Sequence, residues 1–219
     1  MATDTAPKAK PQASELAEML RAAIVRGELV PRQRLVEADL AEEYGASRGN
    51  VRAALSELAI EGLVERIANR GARVRAVSVE EAVEISEVRA ALEALCARKA
   101  AERITDAEIA ELRSLASEMQ DAVDRGDRDS YSRGNRRLHA QVIEIGAQHT
   151  AAATIARLRG QAVRFQFRLA RQPGRPAVSL PEHLAIIDAV CRRDPDAAAE
   201  AMRLHLESVA DAIRAAEKA

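Results

Sequence analysis

Apolar residues in the N-terminal third of the chain recur first at helical spacing, then in short clusters, then in alternation. Residues 1–12 mix Pro, Lys, Ala and Thr without a period and read as a flexible arm. Leu16, Met19, Leu20, Ala23 and Ile24 then share one face of a helix that Ser14 opens and Gly27 ends. Gly27 and Pro31 break the next stretch, which is predicted to be an extended connector. A second helix is predicted from about Val36 to Tyr44, with Leu40 and Ala41 inward. Gly45 offers permissive backbone for a tight turn, Ser47 caps a third helix, and Val51, Ala54, Leu55 and Leu58 form its buried stripe. Two short helices joined by a Gly-containing turn make a helix-turn-helix. After Gly62 the pattern alternates around Asn69, Arg70 and Gly71, as in a β-hairpin with a basic tip. Together these elements predict a winged helix.

From Ser78 onward the period is helical. Ser78 with Glu81, Thr105 with Glu108, and Ser179 with Glu182 each fit a capping box and mark helix starts. Breaks at Gly126, Gly146, residues 172–176 and Asp194-Pro195 complete a set of about six helices, at 79–103, 106–125, 128–145, 149–171, 180–193 and 195–217. The expected fold is mainly α. A winged helix-turn-helix over residues 13–76 carries a small β-hairpin wing, and an all-helical bundle follows over 77–219.

Composition agrees with this picture. Of the 219 residues 47% are apolar and only 2% aromatic, so the cores must be built from Leu, Ile, Val and Ala, which favours helices. No apolar run approaches the length of a bilayer span and the first residues lack a signal-peptide core, so a cytoplasmic protein with no membrane partner is expected. Cys96 and Cys191 form no CxxC pair and read as two buried thiols. A net charge of −1 gives no global sign of nucleic-acid binding. Locally, residues 47–75 hold six Arg against three Glu, a basic segment lying on the predicted winged helix. A solvated charged face would look similar.

The segment LVEADLAEEYGASRGNVRAALSELAIEGLVERIANRGARV resembles the DNA-binding domain of the GntR family of bacterial regulators. The remainder, with EVRAALEALCARKAAER, NRRLH, EHLAIIDAVCRRD and AMRLHL, resembles the FCD ligand-binding domain of its FadR subfamily, and six helices lean toward the VanR-type branch. The family's usual Ser-Arg-Thr-Pro-Val-Arg-Glu-Ala-Leu stands here as Ser47-Arg48-Gly49-Asn50-Val51-Arg52-Ala53-Ala54-Leu55, and Arg32 replaces the Gly expected after Pro31. These departures leave the operator sequence open. The resemblance implies a homodimeric, effector-responsive regulator, a repressor in the first instance, acting on a palindromic operator.

At the start of the third helix, free amides and the positive end of the dipole favour a phosphate or a base edge. Arg48 and Arg52, four apart, project from one face, and Arg can grip guanine while Asn grips adenine in the major groove. Arg48, Asn50 and Arg52 are therefore the expected base readers and Ser47 a backbone contact. The resemblance places Arg70 and Gly71, at the wing tip, near the minor groove.

Asn135 and His139 are four apart on one predicted helix. His183 stands eleven residues before Asp194 and His205 eleven after it, so a turn at Asp194-Pro195 would bring the two level, each about 16 Å from the turn at about 1.5 Å per residue. Three neutral imidazoles and an oxygen suit zinc, nickel or a similar divalent ion. In metal-binding FCD proteins the ligands are an Asp or Asn and three His. The resemblance places them on Asn135, His139, His183 and His205, with Asn supplying a neutral carbonyl where Asp would bring charge. Such an ion would attract a small carboxylate effector, and Arg89 of the EVRAALE segment is the candidate to orient it, its alternative being an intrahelical pair with Glu93. Arg164 and Arg168 are weaker candidates for that task. A metal-dependent hydrolase tethered to DNA would use the same histidines but lacks a convincing general base, Glu182 being read as a cap. An architectural DNA binder with an empty helical domain is the remaining alternative.

Overall fold

The computed structural model describes residues 10–67, 71–172 and 174–217, apart from the side chains of 163, 164, 166–168, 170, 171 and 217. Residues 1–9 of the expected arm, Arg70 at the expected wing tip, and the side chains of Arg164 and Arg168 lie outside the described residues. The chain divides into two compact units, Met1–Ala76 and Val77–Ala219.

In the first unit α1 (Ala13–Arg26), α2 (Glu37–Glu43) and α3 (Arg48–Ile60) enclose a core with a three-stranded antiparallel sheet. Leu16, Leu20 and Ile24 of α1 meet Val51, Leu55 and Leu58 of α3, and Leu40 of α2 joins them. Helix α1 ends on Gly27, whose left-handed backbone (φ 80°) lets its N–H reach the carbonyls of Ala23 and Ile24. It begins one residue before Ser14, with Gln12 at the cap, so Ser14 is not the capping residue. The wing strands are β2 (Val64–Ile67) and β3 (Gly71–Val74), paired from Val64↔Val74 to Ile67↔Gly71. The predicted connector contains a further strand, β1 (Arg34–Leu35), which pairs with β3 and makes β3 central. Two residues are too few for alternation to register in sequence. Gly71 sits where β1 and β3 approach: at φ 87° a Cβ would stand 2.6 Å from the Leu35 carbonyl oxygen. Its glycine is required by the sheet itself.

The second unit contains α4 (Val79–Arg103), α5 (Asp106–Asp124), α6 (Arg128–Gly146), α7 (His149–Arg171), α8 (Arg175–Cys191) and α9 (Pro195–Glu217). Helix α4 packs along α9 and also against α6 and α7. It enters the main core through alanines (Ala90, Ala97, Ala100, Ala101), which lets the partners come close, and Leu112, Met119, Leu138, Ile186 and Met202 fill the space between the other helices. Thr105 and Glu108 form a complete reciprocal capping box, and Ser78 Oγ accepts the Glu81 N–H at 3.2 Å.

Two helix ends depart from the sequence reading. Helix α8 starts at Arg175, five residues early, because Pro176 fits the first turn, where its missing N–H has no intrahelical partner to lose. Ser179 is thus interior to the helix, with its hydroxyl on the Arg175 carbonyl at 3.0 Å, and Glu182 is not a capping carboxylate. At the end of α6 the left-handed residue is Ala147 (φ 49°), not Gly146. Gly146 instead lies against α4, where a Cβ would come 2.6 Å from the Cys96 carbonyl oxygen.

Candidate DNA interface and candidate metal centre

In the N-terminal unit Ser47 caps α3, its Oγ accepting the Asn50 N–H at 3.1 Å. Arg48 and Arg52 are exposed on the first turns of α3. They line one groove with Arg34, Glu37 and Arg66, so the structure adds two arginines and a carboxylate to the residues read from sequence. Arg52 donates to Glu37 at 2.9 Å through Nη2, and Arg66 Nη2 stands 3.9 Å from the same carboxylate while its Nη1 donates to Ser56 Oγ at 2.7 Å. The Arg52 hydrogen bond, above all, holds the Glu37 carboxyl below its usual range. Asn50 is engaged elsewhere, its amide Nδ2 donating to the Pro11 carbonyl at 2.8 Å. Arg73 pairs with Glu65 across the wing, and Arg21 of α1 takes Glu57 and Glu61. Those two acids, which dilute the basic segment in sequence, thus meet α1. Arg34 and Glu37 escaped the sequence reading because only the sheet and α2 bring them beside α3.

In the C-terminal unit α6 presents Tyr131, Asn135 and His139 along one stripe, α8 presents His183, and α9 presents His205. Asp194 accepts the Ala197 N–H at 3.1 Å and turns α8 into α9. The ring centroids of His183 and His205 are 4.4 Å apart, and His139 lies 5.2 Å from His205 and 5.8 Å from His183. One ring nitrogen from each of the three falls within 4.8 Å of the others.

Every imidazole is held through Nδ1. His139 Nδ1 is 2.7 Å from Glu93 Oε2, His205 Nδ1 is 2.8 Å from Glu182 Oε2, and His183 Nδ1 is 2.8 Å from the Tyr131 hydroxyl. The carboxylates accept only, so His139 and His205 donate from Nδ1. For His183 the direction follows from a chain. The Ser179 hydroxyl donates to the Arg175 carbonyl, so Tyr131 must donate to Ser179 Oγ at 2.6 Å and accept from His183 Nδ1–H. All three tautomers therefore leave the Nε2 lone pair free. His183 Nε2 and Asn135 Oδ1 are enclosed with no hydrogen-bond partner among the described residues, an arrangement that a cation would satisfy. Burial keeps the His139 and His183 imidazoles neutral, as ligands must be: it moves His139 down to about 4 against the opposing pull of Glu93, and His183 well below its ordinary value. The donor set and its orphaned atoms fit a divalent ion, with the positions facing the cavity left for water or a ligand.

Arg89 faces this cavity but is tied to Glu93, Nε donating at 2.9 Å and Nη2 standing 2.8 Å from Oε1. Arg159 of α7 also reaches Glu93, at 2.9 Å. Burial alone would raise the Glu93 carboxyl, but the charges of Arg89 and Arg159, with His139, hold it well below the usual range. Sequence reasoning missed Tyr131, Glu182, Arg159 and Arg175 as members of the site. Tyr131 had a signal, four residues before Asn135 and eight before His139 on the same helical stripe. Glu182 had one too, since the turn that levels His183 with His205 also levels its neighbour.

A three-helix winged unit with a cationic groove, followed by an α-bundle around a buried histidine cluster, is the build of a two-domain transcription regulator. The chain belongs to the GntR family and carries an FCD domain: residues 12–74 match the bacterial regulatory proteins of the gntR family and residues 84–208 match the FCD domain. Members of this family are DNA-binding transcription regulators, not enzymes, which removes the hydrolase alternative. The transcriptional repressor RspR of Escherichia coli K12 is 28% identical over 205 residues, covering 94% of this chain and 90% of its own. The regulator BphR of Paraburkholderia xenovorans LB400 is 32% identical over 206 residues, covering 90% and 83%. The galactonate operon repressor of Escherichia coli K12 is 29% identical over 204 residues, covering 81% and 86%. Among solved structures, Escherichia coli McbR/YncC shares the fold with a TM-score of 0.77 at 21% identity, covering 94% of this chain and 98% of that one. No described helix is long and apolar enough to cross a membrane.

Proposed function

We propose that this regulator is a cytoplasmic homodimeric repressor of a palindromic operator, whose DNA affinity is set by a small carboxylate bound beside a divalent ion, zinc first, on Asn135, His139, His183 and His205. The observation that carries the reading is the convergence of three Nδ1-anchored histidines beside two enclosed ligand atoms, Asn135 Oδ1 and His183 Nε2, that have no partner among the described residues. The ion would draw one carboxylate into the cavity, with Arg89 orienting it through N–H groups that Glu93 does not occupy. Two of the relatives described above are named as repressors, which supports that sign of regulation.

On DNA, Arg48, Asn50 and Arg52 read base edges from the start of α3, Ser47 contacts phosphate, and Arg70 and Gly71 bring the wing to the minor groove. Arg52 exchanges Glu37 for the duplex and Asn50 exchanges the Pro11 carbonyl. For the effector to regulate, it must bind the operator-competent and operator-released states with different affinity. The test is metal analysis of the purified protein with zinc titration of His183→Ala. Wild type is expected to bind one zinc per chain, and the variant at least ~100-fold more weakly. Equal zinc affinity in the two proteins would overturn the assignment.

A further inference from the structure

Four arginines, Arg89, Arg136, Arg159 and Arg175, line the cavity beside the histidines. Among the described residues, two carboxylates bind groups of its wall. Glu93 closes on Arg89, Arg159 and His139, and Glu182 on His205 with Arg175 at a longer distance. The site is cationic before any ion is added, and a divalent ion adds to the excess. A single effector carboxylate leaves charge uncompensated.

Arg175 is where the site is unfinished. Its Nη1 donates to Ser208 Oγ at 3.1 Å, but its Nη2 is enclosed with no hydrogen-bond partner among the described residues. The ion-paired oxygen, Glu182 Oε2, is 3.6 Å from Nη2, beyond hydrogen-bonding range, and is already held at 2.8 Å from His205 Nδ1. That one oxygen lies between the guanidinium and a histidine of the triad, so the two ends of the cavity are close. The cavity volume is about 100 Å³, which limits an occupant to a small molecule.

We propose that the effector is a dicarboxylate of three or four carbons, gripped at both ends, one carboxylate at the ion on the histidine triad and the other on Arg175 Nη2. The inference rests on the metal reading above and goes beyond it in naming the effector's second acid group and the residue that receives it. A monoacid of matched carbon number reaches the ion but leaves Nη2 unpaired, and a site built to hydrogen-bond a group rejects the analogue lacking it. Tyr131 holds His183 and donates to Ser179, whose hydroxyl in turn donates to the Arg175 carbonyl, so the two grips share one frame.

The test is calorimetric titration of the zinc-loaded full-length protein with malonate and succinate, and with propionate and butyrate at matched carbon number. Each diacid is expected to bind ~10- to 100-fold more tightly than its monoacid. Arg175→Met should reduce that ratio to about threefold or less with zinc content unchanged, while Arg175→Lys should retain part of it. A wild-type protein that holds zinc but shows no diacid preference overturns the inference alone. A preference that survives undiminished in both Arg175 variants overturns it as well, as does tighter binding of inorganic phosphate than of any diacid. Failure of wild type to take up zinc overturns the metal reading, and this inference falls with it.

Discussion

Glu37 and Glu93 each gather arginines from more than one element, yet one does so at the surface and the other in the interior. Arg52 and Arg66, the partners of Glu37, are 63% and 44% exposed, and their pairing can be exchanged for solvent or phosphate at little cost. Glu93 is fully buried, and Arg89, Arg159 and His139 close on it from three helices. Removing the Glu93 charge strands Arg89 and His139 away from water. An exposed cluster stores donors that a duplex can take over, whereas a buried one is a rigid frame. The first suits reading a polymer that arrives from outside, and the second suits holding a small group in fixed geometry.

The sharpest way to break this comparison is Glu93→Gln, which leaves the buried Arg89 and the partly exposed Arg159 without their shared counter-charge. A loss of about 3–5 kcal/mol of folding stability is expected in urea denaturation of the metal-free protein. A loss below about 1 kcal/mol would show that the interior cluster is as exchangeable as the surface one. Next in size is Arg48→Ala, expected to cost about 1–3 kcal/mol of specific binding to an operator selected from random duplexes, with unchanged stability. Unaltered affinity in a gel-shift titration would remove Arg48 from the reading face. Smallest is Glu37→Gln. Stability should change by less than about 1 kcal/mol, while binding to random-sequence DNA tightens severalfold and its preference for the selected operator narrows, because Arg52 loses the carboxylate that aims it. A wider preference would mean that Glu37 obstructs reading instead of organising it.

Much of this architecture was readable because it is written in local chemistry. The Thr105-Glu108 box and the Asp194-Pro195 turn mark helix ends with residues whose side chains act within one turn. The level placement of His183 and His205 follows from that turn and a constant rise per residue. What stayed hidden depends on long-range approach. β1 is too short to show a period, and Pro176 concealed the start of α8 because a proline that ends one helix also suits the opening of another. The shell around the triad was legible only in part. Glu93 and Tyr131 lie at helical spacing from named residues, but Arg159 comes from 66 positions beyond Glu93 and Arg175 from 33 before Ser208, separations that carry no periodic signal.

Gly146 sets a dimensional tolerance for the whole C-terminal unit. It fixes how closely α6 lies on α4, and the same pair of helices must bring His139 to Glu93 two turns away along α6. A hydrogen bond tolerates a few tenths of an ångström and a methyl group needs far more, so the span between these helices is gauged by an atom that is not there. Replacing it with alanine, ordinarily the mildest change a helix can receive, would be felt first at the imidazole and only afterwards in the packing.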